Sequence, residues 1–189
     1  MHSIQLKGVS LAFGLIRCLD EVDFHLLEGR KVALTGANGS GKTTLLKVMA
    51  GLLAPDAGII TISREARLAY LPQANVVLGE GSLAAEAATA FREQDALAAE
   101  VTALETRIAA AGERDPGLPA LLERHHILHE RLLKNGYYAR ERTIEMVLKG
   151  LGFSSDQFDR PCTSFSQGYQ MRIALARVLL ADPAFLLLD

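Results

Sequence analysis

The octapeptide Gly36-Ala37-Asn38-Gly39-Ser40-Gly41-Lys42-Thr43 carries the reading of this 189-residue chain. It fits the pattern G-x-x-x-x-G-K-[ST], and its flanks supply the context that pattern requires. Residues 31–35 predict a short apolar strand running straight into the loop. Residues 42–50 predict an apolar helix that Gly51 ends. The chemistry accounts for the residue types. A triphosphate tail concentrates several negative charges in a small volume. Backbone N–H groups of Gly36, Asn38, Gly39, Ser40 and Gly41 can surround it, because glycine permits the curvature and the close approach. The helix that follows aims its positive end at the same phosphates. Lys42 is then expected to reach the β- and γ-phosphate oxygens, Thr43 to hold Mg²⁺ by its hydroxyl, and Thr44 to donate to an α- or β-phosphate oxygen. The glycine order is not G-x-G-x-x-G, which excludes the dinucleotide fingerprint.

Outward from this loop the first third of the chain reads as short strands. Residues 4–6, 22–26 and 59–62 and Leu68–Leu71 alternate or cluster apolar and β-branched side chains. Glu28-Gly29, Pro55-Asp56 and Pro72-Gln73 are the turn signals between them. The composition is that of a folded domain, 49% hydrophobic and 22% charged, which excludes wholesale disorder. No apolar run approaches the ~20 residues needed to span a bilayer, and residues 1–10 lack a signal-peptide layout. Cys18 and Cys162 are too few and too far apart for a disulfide framework, which favours a reducing, cytoplasmic setting. The net charge of −2 gives no sign of a nucleic-acid binder.

The middle of the chain is different. Residues 83–134 are mostly Ala, Leu, Glu and Arg, all good helix formers. Leu97, Val101, Leu104, Ile108 and Ala111 recur at helical spacing, as do Leu121, His125, Leu128 and Leu132. Residues 112–119 hold two Gly and two Pro, which no helix crosses. The expectation is two antiparallel helices packed as a short coiled coil about 24 Å long. A third helix is expected over 138–150, after the Asn135-Gly136 stop. His125, His126 and His129 have spacing compatible with a metal clamp, but nothing nearby completes a site, so they read as seam and surface residues.

Four further segments, with the phosphate loop, resemble the ATP-binding cassette (ABC) family across the whole chain. Phe13 resembles the aromatic that stacks on adenine. Leu71-Pro72-Gln73 resembles the Q-loop, whose Gln73 would reach Mg²⁺ and the attacking water. Phe165-Ser166-Gln167-Gly168-Tyr169, with Arg172 six residues after Ser166, resembles the ABC signature and its helix. It departs from the usual Leu-Ser-Gly-Gly-Gln at Phe165, Gln167 and Tyr169 but keeps Ser166 and Gly168, the positions implied to contact the γ-phosphate on an opposing cassette. Ala184-Phe185-Leu186-Leu187-Leu188-Asp189 resembles the Walker B strand, whose Asp189 would bind Mg²⁺ directly or through water. The resemblance implies an α/β fold of the P-loop NTPase class. It would have a RecA-like core, an antiparallel β subdomain, and a helical subdomain carrying the coiled-coil hairpin. It also implies ATP and Mg²⁺ as ligands, with Lys42, Gln73 and Asp189 as the catalytic group and Thr43, Gln73 and Asp189 around the metal.

The hairpin at 83–134 and the signature variant resemble the first cassette of the ABC-F proteins. These are tandem-cassette ATPases without membrane domains that act on the ribosome as translation or antibiotic-resistance factors, and their hairpin is called the arm. The resemblance implies a second cassette and the ribosome as partners, with no membrane insertion. The alternative is the ATPase subunit of a membrane transporter; a third reading makes the hairpin a purely structural dimerisation coiled coil. Charge does not decide, since 83–134 holds nine acidic and six Lys/Arg residues. The family's catalytic Glu follows the Walker B Asp and its switch-loop His comes later. The expectation is therefore that residues 1–189 are a C-terminally incomplete cassette that binds ATP and is inactive alone, with an exposed sheet edge at 186–188.

Overall fold

Strand β1, Ser3–Phe13, shows how the sequence builds the first layer. Ile4 and Leu6 face the core, and so do Val9 and Leu11, although the two pairs are out of phase by one residue. The phase change falls at Gly8 (φ +56°), where the ladder to β2, Ile16–Leu27, shifts register between Leu6 and Val9. A bulge of this kind re-aims the side chains after it, so both apolar pairs stay on the buried face. That same shift is why the alternation in the sequence marked only residues 4–6. The Asp23 carboxylate accepts the Gly8 N–H at 2.7 Å and holds the bulge. The third strand, β3 (Ala57–Ile62), completes an antiparallel sheet in the order β2-β1-β3.

The computed structural model describes residues 2–74, 76–112 and 115–189. These divide into two compact units, Met1–Val77 with Ala181–Asp189, and Leu78–Leu180. The first unit holds the three-stranded sheet, helix α1 (Lys42–Met49), and two parallel strands, β4 (Leu68–Leu71) and the chain's last strand β5 (Phe185–Leu188). Leu45, Leu46, Val48 and Met49 on α1 join Ile4, Leu6, Phe185 and Leu187 in one hydrophobic cluster.

Residues 31–35 are a correction. Among the described residues no ladder forms there; the chain runs from Gly29 to Ala37 without regular structure, and Val32 is 56% exposed. A strand exists only where a neighbour takes its backbone hydrogen bonds. Here residues 30–34, together with β5 and with Leu46 and Met49 of α1, line a cavity of about 740 Å³. Among the described residues β5 pairs with β4 alone; Leu187 is buried and Leu188 is 56% exposed.

The second unit is helical. Helices α2 (Leu83–Ala88), α5 (Arg140–Gly150) and α6 (Gln167–Leu180) share a cluster built on Leu83, Ala87, Leu148, Cys162 and Ile173. The long hairpin is α3 (Arg92–Ala110) and α4 (Leu118–Lys134), with Val101, Leu104, Leu128 and Leu132 buried along its seam. Residues 83–91, counted with the arm from sequence, belong to the other cluster: Leu83, Ala87 and Phe91 pack with α5 and α6 residues, so the hairpin proper begins at Arg92. Their helix propensity matches that of the arm, and only their packing partners separate them. Arg124 reaches across to Glu100 at 2.9 Å, and His125 meets Glu105 at 3.2 Å. His125 also stacks on His129, and among the described residues no group of three or more His, Cys, Asp or Glu is placed to hold a metal.

Gly58 tests this account of the sheet. It has φ +92°, and a Cβ there would lie 2.5 Å from the Gly8 carbonyl oxygen. Gly58→Ala should therefore cost on the order of 2 kcal/mol. Gly150→Ala, in a helix with open space around it, should stabilise by about 0.5 kcal/mol. Urea unfolding of the two variants beside the parent chain measures both.

Candidate phosphate-binding site

The loop before α1 is shaped by glycine and then seated on the sheet. Gly41 has φ +87°, and a Cβ there would fall 2.5 Å from the Cys18 carbonyl oxygen of β2. Only glycine lets the loop lie this close to the strand. The Gly41 carbonyl accepts the Leu45 N–H at 2.8 Å and so opens the helix. Gly36 and Gly39 also take positive φ, and the Ser40 N–H donates to the Ala37 carbonyl, curling the loop back on itself. Lys42 folds its ammonium over this curl, donating to the carbonyls of Gly36 (3.0 Å) and Ala37 (2.8 Å). Thr44 lies in the first turn of α1 and is half-buried.

Asp189 closes the site from the other side of the sequence. In the parallel ladder Tyr70 stands opposite Leu187, and the Asp189 N–H continues the ladder by donating to the Leu71 carbonyl. Asp189 is two residues beyond Leu187, so Tyr70 and Asp189 share a face of the sheet. Its Oδ1 accepts the Thr43 hydroxyl at 2.7 Å and its Oδ2 accepts the Tyr70 phenol at 2.8 Å. Burial, with the Asp189 carboxylate beside it, pushes the Tyr70 phenol up to about 12, which keeps it a donor. Thr43 and Asp189 thus present hard oxygen atoms side by side at the start of a helix. This donor set suits Mg²⁺ rather than a soft metal, and it sits beside a loop shaped for phosphate.

The structure draws two other sequence candidates from this unit into no hydrogen bond of the cluster among the described residues. Phe13 ends β1 with half its surface open, and Gln73 is exposed just beyond β4. Sequence reading missed Tyr70, two residues before the quoted Pro72. Its signal was a polar-tipped aromatic in the short run Leu68-Ala69-Tyr70-Leu71, whose meaning depends on which strand lies alongside.

In the helical unit, Ser166 and Gly168 lie exposed at the N-terminal end of α6. The unusual residues around them are structural. Phe165 is buried edge-on against Phe153 at 5.7 Å, Tyr169 packs on the same ring at 5.6 Å, and Arg172 lies over Tyr169 at 4.9 Å. Farther along α6, Arg177 donates to Glu86 of α2 at 2.6 Å, and the other oxygen of Glu86 accepts the Gly79 N–H. Glu86 is only 6% exposed, so this pair anchors α6 through a buried charge.

A family model described as ABC transporter matches residues 19–189. An ABC transporter ATP-binding protein of Bacillus subtilis (strain 168), YfmM, is 34% identical over all of this chain and 36% of its own length. ABC transporter F family member 2 of Arabidopsis thaliana is 32% identical over 98% of this chain and 28% of its own. The tylosin resistance ATP-binding protein TlrC of Streptomyces fradiae is 31% identical over 98% of this chain and 34% of its own. The chain therefore spans about a third of the length of these curated relatives. A solved ATP-binding subunit of an ABC transporter shares the fold, with a TM-score of 0.67 at 20% identity over 98% of this chain and 65% of that one.

The buried pair gives a measurable expectation. Arg177→Met leaves the Glu86 carboxylate buried and unpaired, which should cost about 2 kcal/mol, less than for a wholly buried pair because Arg177 is partly exposed. Adding Glu86→Gln, which keeps an acceptor for Gly79, should recover most of the loss. Helical circular dichroism in a urea series distinguishes the single from the double variant.

Proposed function

Because the chain belongs to the ABC transporter family of ATP-binding cassettes, we propose that it forms the Mg-ATP-binding part of an ABC-F type cassette that acts in the cytoplasm on the ribosome. One observation supports the nucleotide reading above the rest: Thr43 and Asp189, 146 residues apart, meet oxygen to oxygen at 2.7 Å beside the loop that Lys42 covers. The ABC-F part of the reading is supported by the inserted hairpin α3–α4 and by a relative named as an F family member. No helix among the described residues is long and apolar enough to cross a membrane.

In this reading the loop N–H groups and the α1 N-terminus bind the phosphates, and Lys42 neutralises charge on the β and γ groups. Thr43 and Asp189 hold Mg²⁺, which when bound draws electron density from the phosphate oxygens. Phe13 stacks on the adenine, and Gln73 orients water toward the γ-phosphate. Ser166 and Gly168 offer hydrogen bonds at the start of α6 to the nucleotide of a second cassette. Two cassettes then close only when both nucleotides are held, because those γ-phosphate contacts exist in the closed state alone. The resemblance places the general base after Asp189, so a polypeptide of these 189 residues binds nucleotide without turning it over.

The test has two arms. A fluorescent ATP analogue should bind the 189-residue chain in the presence of Mg²⁺, and Lys42→Ala should weaken it by roughly 10- to 100-fold, the worth of a charge-assisted contact. ATPase should stay at background; sustained, Lys42-dependent turnover would overturn that part of the reading. In the intact protein, a non-hydrolysable ATP analogue should drive co-sedimentation with ribosomes. Recovery in the membrane fraction would instead support a transporter subunit.

A further inference from the structure

Tyr70 lies outside every motif quoted for the nucleotide site, yet its phenol touches the carboxylate on which that site turns. An aspartate side chain has little torsional preference of its own about the bond that rotates its carboxylate. Asp189 nevertheless has a defined orientation, because each oxygen accepts one hydrogen bond: Oδ1 from Thr43 on α1 at 2.7 Å and Oδ2 from Tyr70 on β4 at 2.8 Å. The two donors come from different elements, and the carboxylate plane is pinned between them. The β4–β5 register makes the contact unavoidable, since it pairs Tyr70 with Leu187 and leaves Asp189 next along the same face. Tyr70 is only partly buried, in the cluster that also holds Phe185 and Leu187, so packing fixes the ring as the hydrogen bond fixes its tip.

We propose that Tyr70 is a positioning residue for the metal: by donating to Oδ2 of Asp189 it fixes the carboxylate in the rotation that turns Oδ1 to Thr43 and to the Mg²⁺ of the nucleotide. The inference rests on the Mg-ATP reading of this site. Hydrogen bonds to a metal-holding carboxylate commonly carry 10- to 100-fold in metal affinity, because they set orientation in advance. A phenol is the right donor here, being neutral: it orients the carboxylate without cancelling its charge.

The experiment titrates Mg²⁺ against binding of a fluorescent ATP analogue by the 189-residue chain, beside Tyr70→Phe, which keeps the ring and removes only the donor. The Mg²⁺ concentration for half-maximal binding should rise about tenfold in Tyr70→Phe. Analogue affinity in excess EDTA should be unchanged, since the phosphate loop is untouched. Equal Mg²⁺ dependence in the two chains overturns the proposal. So does an equal loss with and without Mg²⁺, which is what a merely structural tyrosine would produce. Replacing Tyr70 by para-aminophenylalanine restores a donor at the same reach and should restore the Mg²⁺ dependence; failure to do so also counts against the proposal, even if Tyr70→Phe folds poorly. A parent chain that binds no analogue under any condition overturns the Mg-ATP reading itself, which the other outcomes leave standing.

Discussion

The hydrogen bond from Thr43 to Asp189 joins the two chain segments of the first unit. Thr43 is set by the helix that the glycine loop opens, and Asp189 by a strand that enters 146 residues later. For their oxygens to meet, β5 must lie in parallel register with β4, and α1 must pack its apolar face on the cluster that includes Phe185 and Leu187. A one-residue slip between β4 and β5 would turn Asp189 away from Thr43 and expose Leu187 in its place. The loop geometry, the strand register and the core packing are therefore conditions on one another. The same register brings Tyr70 to the second oxygen of Asp189.

The helical unit solves a different problem with similar means. Helix α6 begins with Ser166, Gln167 and Gly168 exposed. Stability is supplied on both sides of the open end. Phe153, Phe165 and Tyr169 make an aromatic cluster beneath it, and the Glu86–Arg177 pair ties the far end to α2. Phe165 and Tyr169 pack their rings on Phe153 and so support the start of the helix. Ser166 and Gly168 keep their exposure.

The cavity beside β5 shows how local propensity can lose to topology. Residues 32–34 are apolar and would suit a strand, yet they line an open space together with Phe185–Leu188 and, among the described residues, form no ladder. Backbone groups pair only with what stands next to them. The short apolar run of β5, with no stronger local signal, is a regular strand because Leu68–Leu71 lies alongside it.

By itself the sequence determined what depends on short spans and on residue chemistry. The curved glycine loop and the helix start behind it were legible because both signals lie within eight consecutive residues. The hairpin was legible because its seam repeats at helical spacing, with Gly and Pro between the halves. Leu68–Leu71 was legible to the residue. What only the tertiary structure decided concerns groups far apart in the chain. The bulge at Gly8 hid half of β1, since a register shift breaks the alternation that sequence reading relies on. The boundary of the hairpin at Arg92 depends on which cluster Leu83 and Phe91 join. Tyr70 gained its place from a parallel neighbour more than a hundred residues away. Spacing along the chain encodes helices and loops, but the partner of a strand, and so the environment of Asp189, is settled only when the sheet assembles.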